Sequence, residues 1–211
     1  MDKDVNKGTT TVGLACQDGV VLATEMRATM GNMISHKTTK KLFEIDDHLG
    51  MTVAGLVGDA QTLARLLRAE AELYRTKRGE SMSVKAAATL LSNIMNQRKF
   101  APYMVQLLVG GADEDGYHVY SLDAAGGSIP DDFISTGSGS TFVYGVLEDL
   151  WEEDLSLDEG VDIAIRALSA AMSRDSASGD GIALCTITEE DGFEAFSEEE
   201  IDQRREQLST A

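Results

Sequence analysis

Gly8-Thr9-Thr10-Thr11-Val12-Gly13-Leu14-Ala15-Cys16 opens the patterned part of this 211-residue chain. Threonine is favoured in strands, so the run reads as the Thr-rich start of a β-strand over Thr11 to Cys16. The same residues carry a second meaning. Cleavage at Gly8-Thr9 creates an N-terminal threonine, whose hydroxyl is a poor nucleophile until a neighbouring group removes its proton. A free α-amine, with an ordinary pKa of about 7.7–8.0, does that work at neutral pH. A threonine served by its own amine is a known variant of the nucleophile–base arrangement. The tripeptide alone does not choose between a plain strand start and a nucleophile.

Working outward, short β-rich runs follow at Val20 to Glu25, Lys41 to Ile45 and Met51 to Val57, with Gly19, Asp46-Asp47 and Gly50 at the breaks. Four strands are expected up to Val57. A helix is expected from about Ala60 to Arg78, with Asp59 as N-cap, one stripe of Leu63, Leu66, Leu67, Ala71 and Tyr74, and Gly79 to end it. A second helix from Val84 to about Lys99, capped by Ser83, is apolar on both faces, which predicts burial between layers. Strands return at Tyr103 to Val109, Tyr117 to Leu122 and about Ser128 to Ile134, with Pro102 at the helix-to-strand boundary. Two further helices are expected at about Thr141 to Trp151 and Leu157 to Ser173, the latter opened by a Ser156–Glu159 capping box. A hairpin of Ile182 to Ile187 and Phe193 to Phe196 precedes a last helix behind the capping box Ser197 to Glu200.

Strands, a helix pair, strands, a second helix pair and strands again is not the alternation of a doubly wound parallel sheet. The order predicts an α+β fold of two antiparallel sheets stacked face to face, with helix pairs on both outer faces, a four-layer αββα sandwich. No linker or low-complexity segment interrupts it, so a single domain is expected.

Composition narrows the chemistry. A hydrophobic content of 43% suffices for a continuous core. No apolar stretch approaches the roughly 20 residues that cross a bilayer, and Met1-Asp2-Lys3-Asp4 lacks the layout of a signal peptide. A cytoplasmic protein without membrane contact is expected. Cys16 and Cys185 lie in strand-like apolar contexts and are expected to be reduced. His36, His48 and His118 show no metal-ligand spacing, so metal-free, cofactor-free chemistry is expected. The net charge of −18 argues against a nucleic-acid partner. Nineteen acids against four basic residues lie from Glu148 onward, which reads as a solvated face for solubility or for a salt-rich medium.

If Thr9 is the nucleophile, Glu25 at a strand end and Lys41 at a strand start are the candidates to lower its proton affinity, with Arg27 on the same face as Glu25. A surface salt bridge fits the same residues. Gly55, in Val53-Ala54-Gly55-Leu56-Val57-Gly58, lets a backbone N–H approach a reacting carbonyl as an oxyanion hole requires, although a strand-to-helix turn also fits. Ser135 to Ser140 precedes a helix but lacks the lysine and spacing of a phosphate loop, so nucleotide binding is excluded. Arg174 to Gly179 follows a helix and offers a carboxylate and hydroxyls to an amine and a water, or simply a solvated helix end.

Taken together, these runs resemble a proteasome β-type subunit of the archaeal kind, an N-terminal nucleophile hydrolase. The resemblance extends from Gly8 to about Leu208. It is carried by Gly8 to Gly13, Lys40-Lys41-Leu42-Phe43, Met51 to Ala60, Ala88 to Met95, Pro102 to Gly111, Asp123 to Ser128, Ser135 to Ser140 and Arg174 to Gly179. It implies Thr9 as nucleophile, Glu25 and Lys41 as its activating pair, Ser138, Asp175 and Ser178 completing the site, and Gly55 in the oxyanion role. Family members often carry aspartate where this chain has Glu25. Ala28, Val53 and Val57 would line the pocket for the residue before the cut bond, implying cleavage after bulky apolar residues. Residues 1–8 become a propeptide removed by attack of Thr9 on the Gly8 carbonyl, and residues 9–211 the catalytic domain, with glycine allowing the tight turn that this attack needs.

The implied function is a threonine endopeptidase working inside stacked seven-membered rings of α-type subunits and identical β subunits. An ATP-dependent unfoldase would feed it unfolded protein. The bacterial two-ring threonine proteases are a near alternative, but their chains are shorter and lack this acidic C-terminal extension. An inactive structural ring subunit is the alternative from another class. Such chains usually lose the threonine, the lysine or the cleavable glycine, and Gly8, Thr9 and Lys41 are all present here.

Overall fold

A computed structural model describes residues 8–210; residues 1–7 of the expected propeptide lie outside the described residues. In chain order the elements are β1 (Thr10–Cys16), β2 (Gly19–Glu25), β3 (Ala28–Met30), β4 (Met33–His36), β5 (Leu42–Asp46), β6 (Leu49–Gly55), α1 (Val57–Arg78) and α2 (Val84–Gln97). Then come β7 (Val105–Asp113), β8 (Gly116–Leu122), β9 (Ser128–Pro130), β10 (Phe133–Gly137), α3 (Ser140–Leu150), α4 (Leu157–Arg174), β11 (Ile182–Thr188), β12 (Gly192–Ala195) and α5 (Glu198–Thr210). One five-stranded sheet has the order β10-β1-β2-β11-β12 and the other β5-β6-β7-β8-β9, with antiparallel neighbours in both.

The two sheets stack, and strand alternation shows how. In β2, Val20 and Leu22 join Leu108, Val119, Ile134 and Ile187 between the sheets, while Val21 and Ala23 join Val12, Leu14, Val143, Leu147, Ile165 and Leu168 under α3 and α4. A strand buried on both faces therefore reads as the continuous run Val20-Val21-Leu22-Ala23. On the far side Met51, Val53 and Leu107 pack under Leu63 and Leu67 of α1 and Leu91 and Met95 of α2. Each fully buried leucine removes enough apolar surface from water to contribute about 2 kcal/mol. Gly13 helps set the sheet separation, since a Cβ there would stand 2.8 Å from Val119 Cγ1.

The four-layer sandwich is as expected, with five local differences. The second outer face carries three helices, because α5 packs on α4 through Ile201 and Leu208, and Arg204 spans to Asp158 and Asp162. Helix α1 starts at Val57 with Leu56 as N-cap, and Asp59 sits inside the first turn, where its Oδ2 accepts the Met104 N–H at 2.8 Å. The run expected as one strand over Ser128 to Ile134 divides at Asp131-Asp132, so that β9 pairs with β8 and β10 pairs with β1 in the other sheet. The two-stranded sheet β3–β4 was not anticipated. Its Met30, Met33 and Ile34 are exposed, so it lacks the buried alternation by which strands are recognised. Helix α2 is fully buried along Val84, Ala87, Ala88, Leu91 and Met95 only, with Leu90 and Ile94 half-buried.

Gly79 closes α1 in the left-handed region at φ 77°, Ser83 caps α2, and the Ser156–Glu159 box opens α4. Both cysteines are free and buried; burial pushes the Cys16 thiol up to about 12 and raises that of Cys185 as well. Among the described residues no helix is long and apolar enough to cross a membrane.

Candidate active site

Antiparallel pairing brings several element ends to one end of the sandwich. Thr10 pairs with Gly137, Thr11 with Thr24, and Gly55 with Val105. Thr9 therefore enters β1 beside the end of β2, which carries Glu25, and the end of β10, which is followed by Ser138. Lys41 immediately precedes β5, and the Val53 N–H donates to its carbonyl at 3.0 Å, which seats it beside β6. Asp175 is the C-cap of α4, and Ser178 lies in the turn before β11.

The Glu25 carboxylate is fully buried and takes four donors. Oε1 accepts the Thr10 N–H at 3.2 Å and the Lys41 ammonium; Oε2 accepts the Arg27 N–H at 2.7 Å and the Gly179 N–H at 3.0 Å. Lys41 Nζ donates also to the Arg27 carbonyl, so two of its three N–H groups are occupied. Burial, the largest influence, pushes the Glu25 carboxyl up and the Lys41 ammonium down, and each is partly offset by the other's charge. A lysine whose ammonium form is weakened in this way exchanges a proton more readily than an exposed one. This is a buried pair, not the surface salt bridge that local sequence alone favoured. Arg27 joins it through its backbone, while its guanidinium donates to Asp180 Oδ2 at 2.6 Å and to the Ser176 carbonyl at 2.8 Å.

On the other side of Thr9, Ser138 Oγ and Ser178 Oγ both donate to Asp175 Oδ2, Ser178 at 2.7 Å. The Thr9 N–H points to Ser138 Oγ at 3.4 Å, and the Ser138 N–H donates to the Thr9 carbonyl at 2.8 Å. The Thr9 hydroxyl donates to the Gly8 carbonyl, that of the peptide bond whose cleavage would free its amine. Gly8 is closely packed there: a Cβ would stand 2.5 Å from Thr29 Oγ1 and 2.6 Å from Ala177 Cβ. Crowding is thus a reason for glycine at this position, added to the turn expected from sequence.

A cavity of about 760 Å³ opens in front of this network, lined among others by Gly8, Thr9, Ala28, Lys41, Val53, Gly55 and Val57. Six positions singled out from the sequence, with Gly8, thus share one cavity, and Glu25, Ser138, Asp175 and Ser178 stand behind it in the hydrogen-bonded wall. Gly55 has φ 133°, and a Cβ there would lie 2.2 Å from the Met104 carbonyl oxygen. Gly55→Ala is expected to cost about 2 kcal/mol or more, a fall in melting temperature of roughly 4 °C or more on thermal denaturation of the isolated subunit. An unchanged melting temperature would mean that the Met104 segment yields freely.

Three contributors went unread in the sequence. Gly179 supplies an N–H to Glu25, Asp180 holds Arg27 from a left-handed backbone at φ 64°, and Thr10 bridges the two halves of the wall. Their signal was faint: threonine at a strand start and Gly-Asp in a turn are both ordinary.

Among proteins of known family, residues 5–187 match the family model described as Proteasome subunit. The chain is 56% identical over 208 residues to a proteasome subunit beta of Methanothermobacter thermautotrophicus, covering 99% of each chain. It is 56% identical over 208 residues to that of Thermoplasma acidophilum, covering 99% of this chain and 98% of the relative. For that of Methanosarcina mazei the identity is 54% over 211 residues, with 99% and 100% covered.

Proposed function

The chain belongs to the proteasome subunit family, as a β-type chain of the core particle and a protease of the N-terminal nucleophile class, and from that premise we propose that it is a threonine endopeptidase acting through Thr9. The observation that carries the reading is the Thr9 hydroxyl on the Gly8 carbonyl, with the buried Glu25–Lys41 pair behind it and the Ser138–Asp175–Ser178 group beside its nitrogen.

In the precursor, Thr9 Oγ attacks the Gly8 carbonyl carbon as its proton passes to Lys41 Nζ in the neutral amine form that burial makes accessible, with the oxyanion received at Gly55. That proton then passes from Lys41 to the Thr9 nitrogen as the Gly8–Thr9 C–N bond breaks, leaving the Oγ–C ester. Water then hydrolyses the ester, releasing residues 1–8 with a C-terminal carboxylate and restoring the hydroxyl beside a free α-amine. Peptide substrates follow the same course, with that amine as base: acyl transfer to Oγ, departure of the new amino terminus, and hydrolysis. Residues 9–211 constitute the working subunit.

Ala28, Val53 and Val57 are small and apolar, which supports cleavage after bulky hydrophobic residues. The chain assembles with other subunits in a core particle. We assign it identical β neighbours and α-type partners in stacked seven-membered rings, an ATP-dependent unfoldase delivering unfolded protein, and a cytoplasmic setting. No step in this chemistry calls for a metal or cofactor.

The test is the intact mass of the chain after co-production with an α-type partner. Loss of Met1 to Gly8 in assembled rings is the expected result. Retention of all 211 residues there would overturn self-processing and bring forward the inactive structural subunit.

A further inference from the structure

Thr10, fully buried at the first position of β1, touches both halves of the site. Its N–H donates to Glu25 Oε1 at 3.2 Å, on the Lys41 side. Its hydroxyl oxygen lies 2.6 Å from Ser178 Oγ and accepts the Gly139 N–H at 3.1 Å.

Proton counting fixes the direction of these bonds. Asp175, as a carboxylate, only accepts, so the single hydroxyl protons of Ser178 and Ser138 both go to its Oδ2. Ser178 has then no proton left for the 2.6 Å contact, which must be filled by the proton of Thr10. Ser138 likewise presents lone pairs, and not its proton, to the Thr9 nitrogen. The result is a one-way series: Gly139 N–H to Thr10, Thr10 to Ser178, Ser178 to Asp175, with Ser138 meeting Asp175 from the other side.

We propose that Thr10 is a positioning residue whose hydroxyl, by donating to Ser178, sets the polarity of the Ser178–Asp175–Ser138 series and so aims the lone pair of the freed Thr9 amine at Thr9 Oγ. The inference rests on Thr9 being the nucleophile. An amine has two N–H groups and one lone pair; Ser138 taking one N–H limits where the lone pair points. Each donor in a series strengthens the next bond, so losing the Thr10 donor weakens the bond from Ser178 to Asp175. The carboxylate, less satisfied, then favours the protonated amine more strongly. The other charged groups around the amine are Glu25 and Lys41 at the β2 and β5 ends, with Arg27 and Asp180 beyond them, and Thr10→Val alters none of these.

Thr10→Val keeps the β-branched shape and removes the hydroxyl, whereas Thr10→Ser keeps the hydroxyl. In assembled, processed particles Thr10→Val is expected to lower kcat for a peptide substrate about tenfold with KM within about twofold. The acid limb of kcat/KM should move to higher pH, and Thr10→Ser should restore both. A Ser178→Ala background should leave Thr10→Val almost nothing further to remove. Wild-type kcat and pH profile in Thr10→Val, failure of Thr10→Ser to restore them, or an undiminished effect in Ser178→Ala would each overturn the proposal. Should Thr10→Val not assemble, Thr10→Cys, a weaker donor, is expected to show a smaller loss with a smaller pH shift in the same direction, and full activity there is the contrary result. Thr9→Ala measured in parallel separates the two readings. Activity surviving in Thr9→Ala removes the nucleophile assignment, while an inactive Thr9→Ala beside a wild-type Thr10→Val removes only the role of Thr10.

Discussion

Particles carrying Thr9→Ala are expected to assemble, to retain residues 1–8 and to hydrolyse no peptide above background. The side chain lost is small and lies at the entry to β1, where the backbone bond between the Ser138 N–H and the Thr9 carbonyl persists without it. Folding and ring contacts therefore have little reason to change. The chemistry has no substitute, because the attacking oxygen itself is gone, and removing the nucleophile of a peptidase costs a factor on the order of 10⁴ or more in kcat. Intact mass reads the processing and a fluorogenic peptide ending in a bulky apolar residue reads the hydrolysis. Hydrolysis at the wild-type rate would remove Thr9 from the mechanism, whatever the mass shows.

Lys41→Ala has the second-largest expected effect, and it acts on both chemistry and stability. Its ammonium is the only cation bonded to the buried Glu25 carboxylate among the described residues, the other donors being the backbone N–H groups of Thr10, Arg27 and Gly179. Breaking a buried pair by removing one partner costs about 3–5 kcal/mol in the general case. The three amides remaining on Glu25 place this site at the lower end. Processing should fall by a factor of about 10²–10⁴, the usual contribution of a positioned proton-transfer group, and peptide hydrolysis should fall with it because Lys41 also lowers the proton affinity of the Thr9 hydroxyl. Lys41→Arg is not expected to rescue either, because a guanidinium keeps its proton at working pH and has a different shape. A fully processed and active Lys41→Ala particle would take Lys41 out of the mechanism, and the thermal transition of the same sample reports the stability cost separately.

The two substitutions probe residues of different legibility. Thr9 was visible as a hydroxyl directly after Gly8, since that relation is covalent and local. Lys41 was visible only as a charge at a strand start. Its ambiguity between a surface pair and a buried one turned on exposure, which depends on what packs over the strand end from elsewhere in the chain. The capping boxes at Ser156 and Ser197, the Gly79 helix end and the β-rich run of β2 were legible for the same reason as Thr9: propensity, capping and periodicity act over a few residues. The four-layer order followed from their succession.

What local pattern does not carry was settled by contacts between distant segments. The division of Ser128 to Ile134 into two strands depends on which sheet each half finds as a neighbour, and the exposed β3–β4 hairpin buries no apolar stripe to reveal itself. The aim of Asp59 at Met104 and the Gly179 N–H on Glu25 join segments 45 and 154 residues apart. The Thr10 hydroxyl meets Ser178 across 168 residues. Chain chemistry near Thr9 thus made a candidate nucleophile available, and the closing of the two sheets supplied the buried charge, the oriented hydroxyls and the cavity wall. Those effects need low dielectric and fixed geometry, which arise only when remote parts of the chain exclude water together.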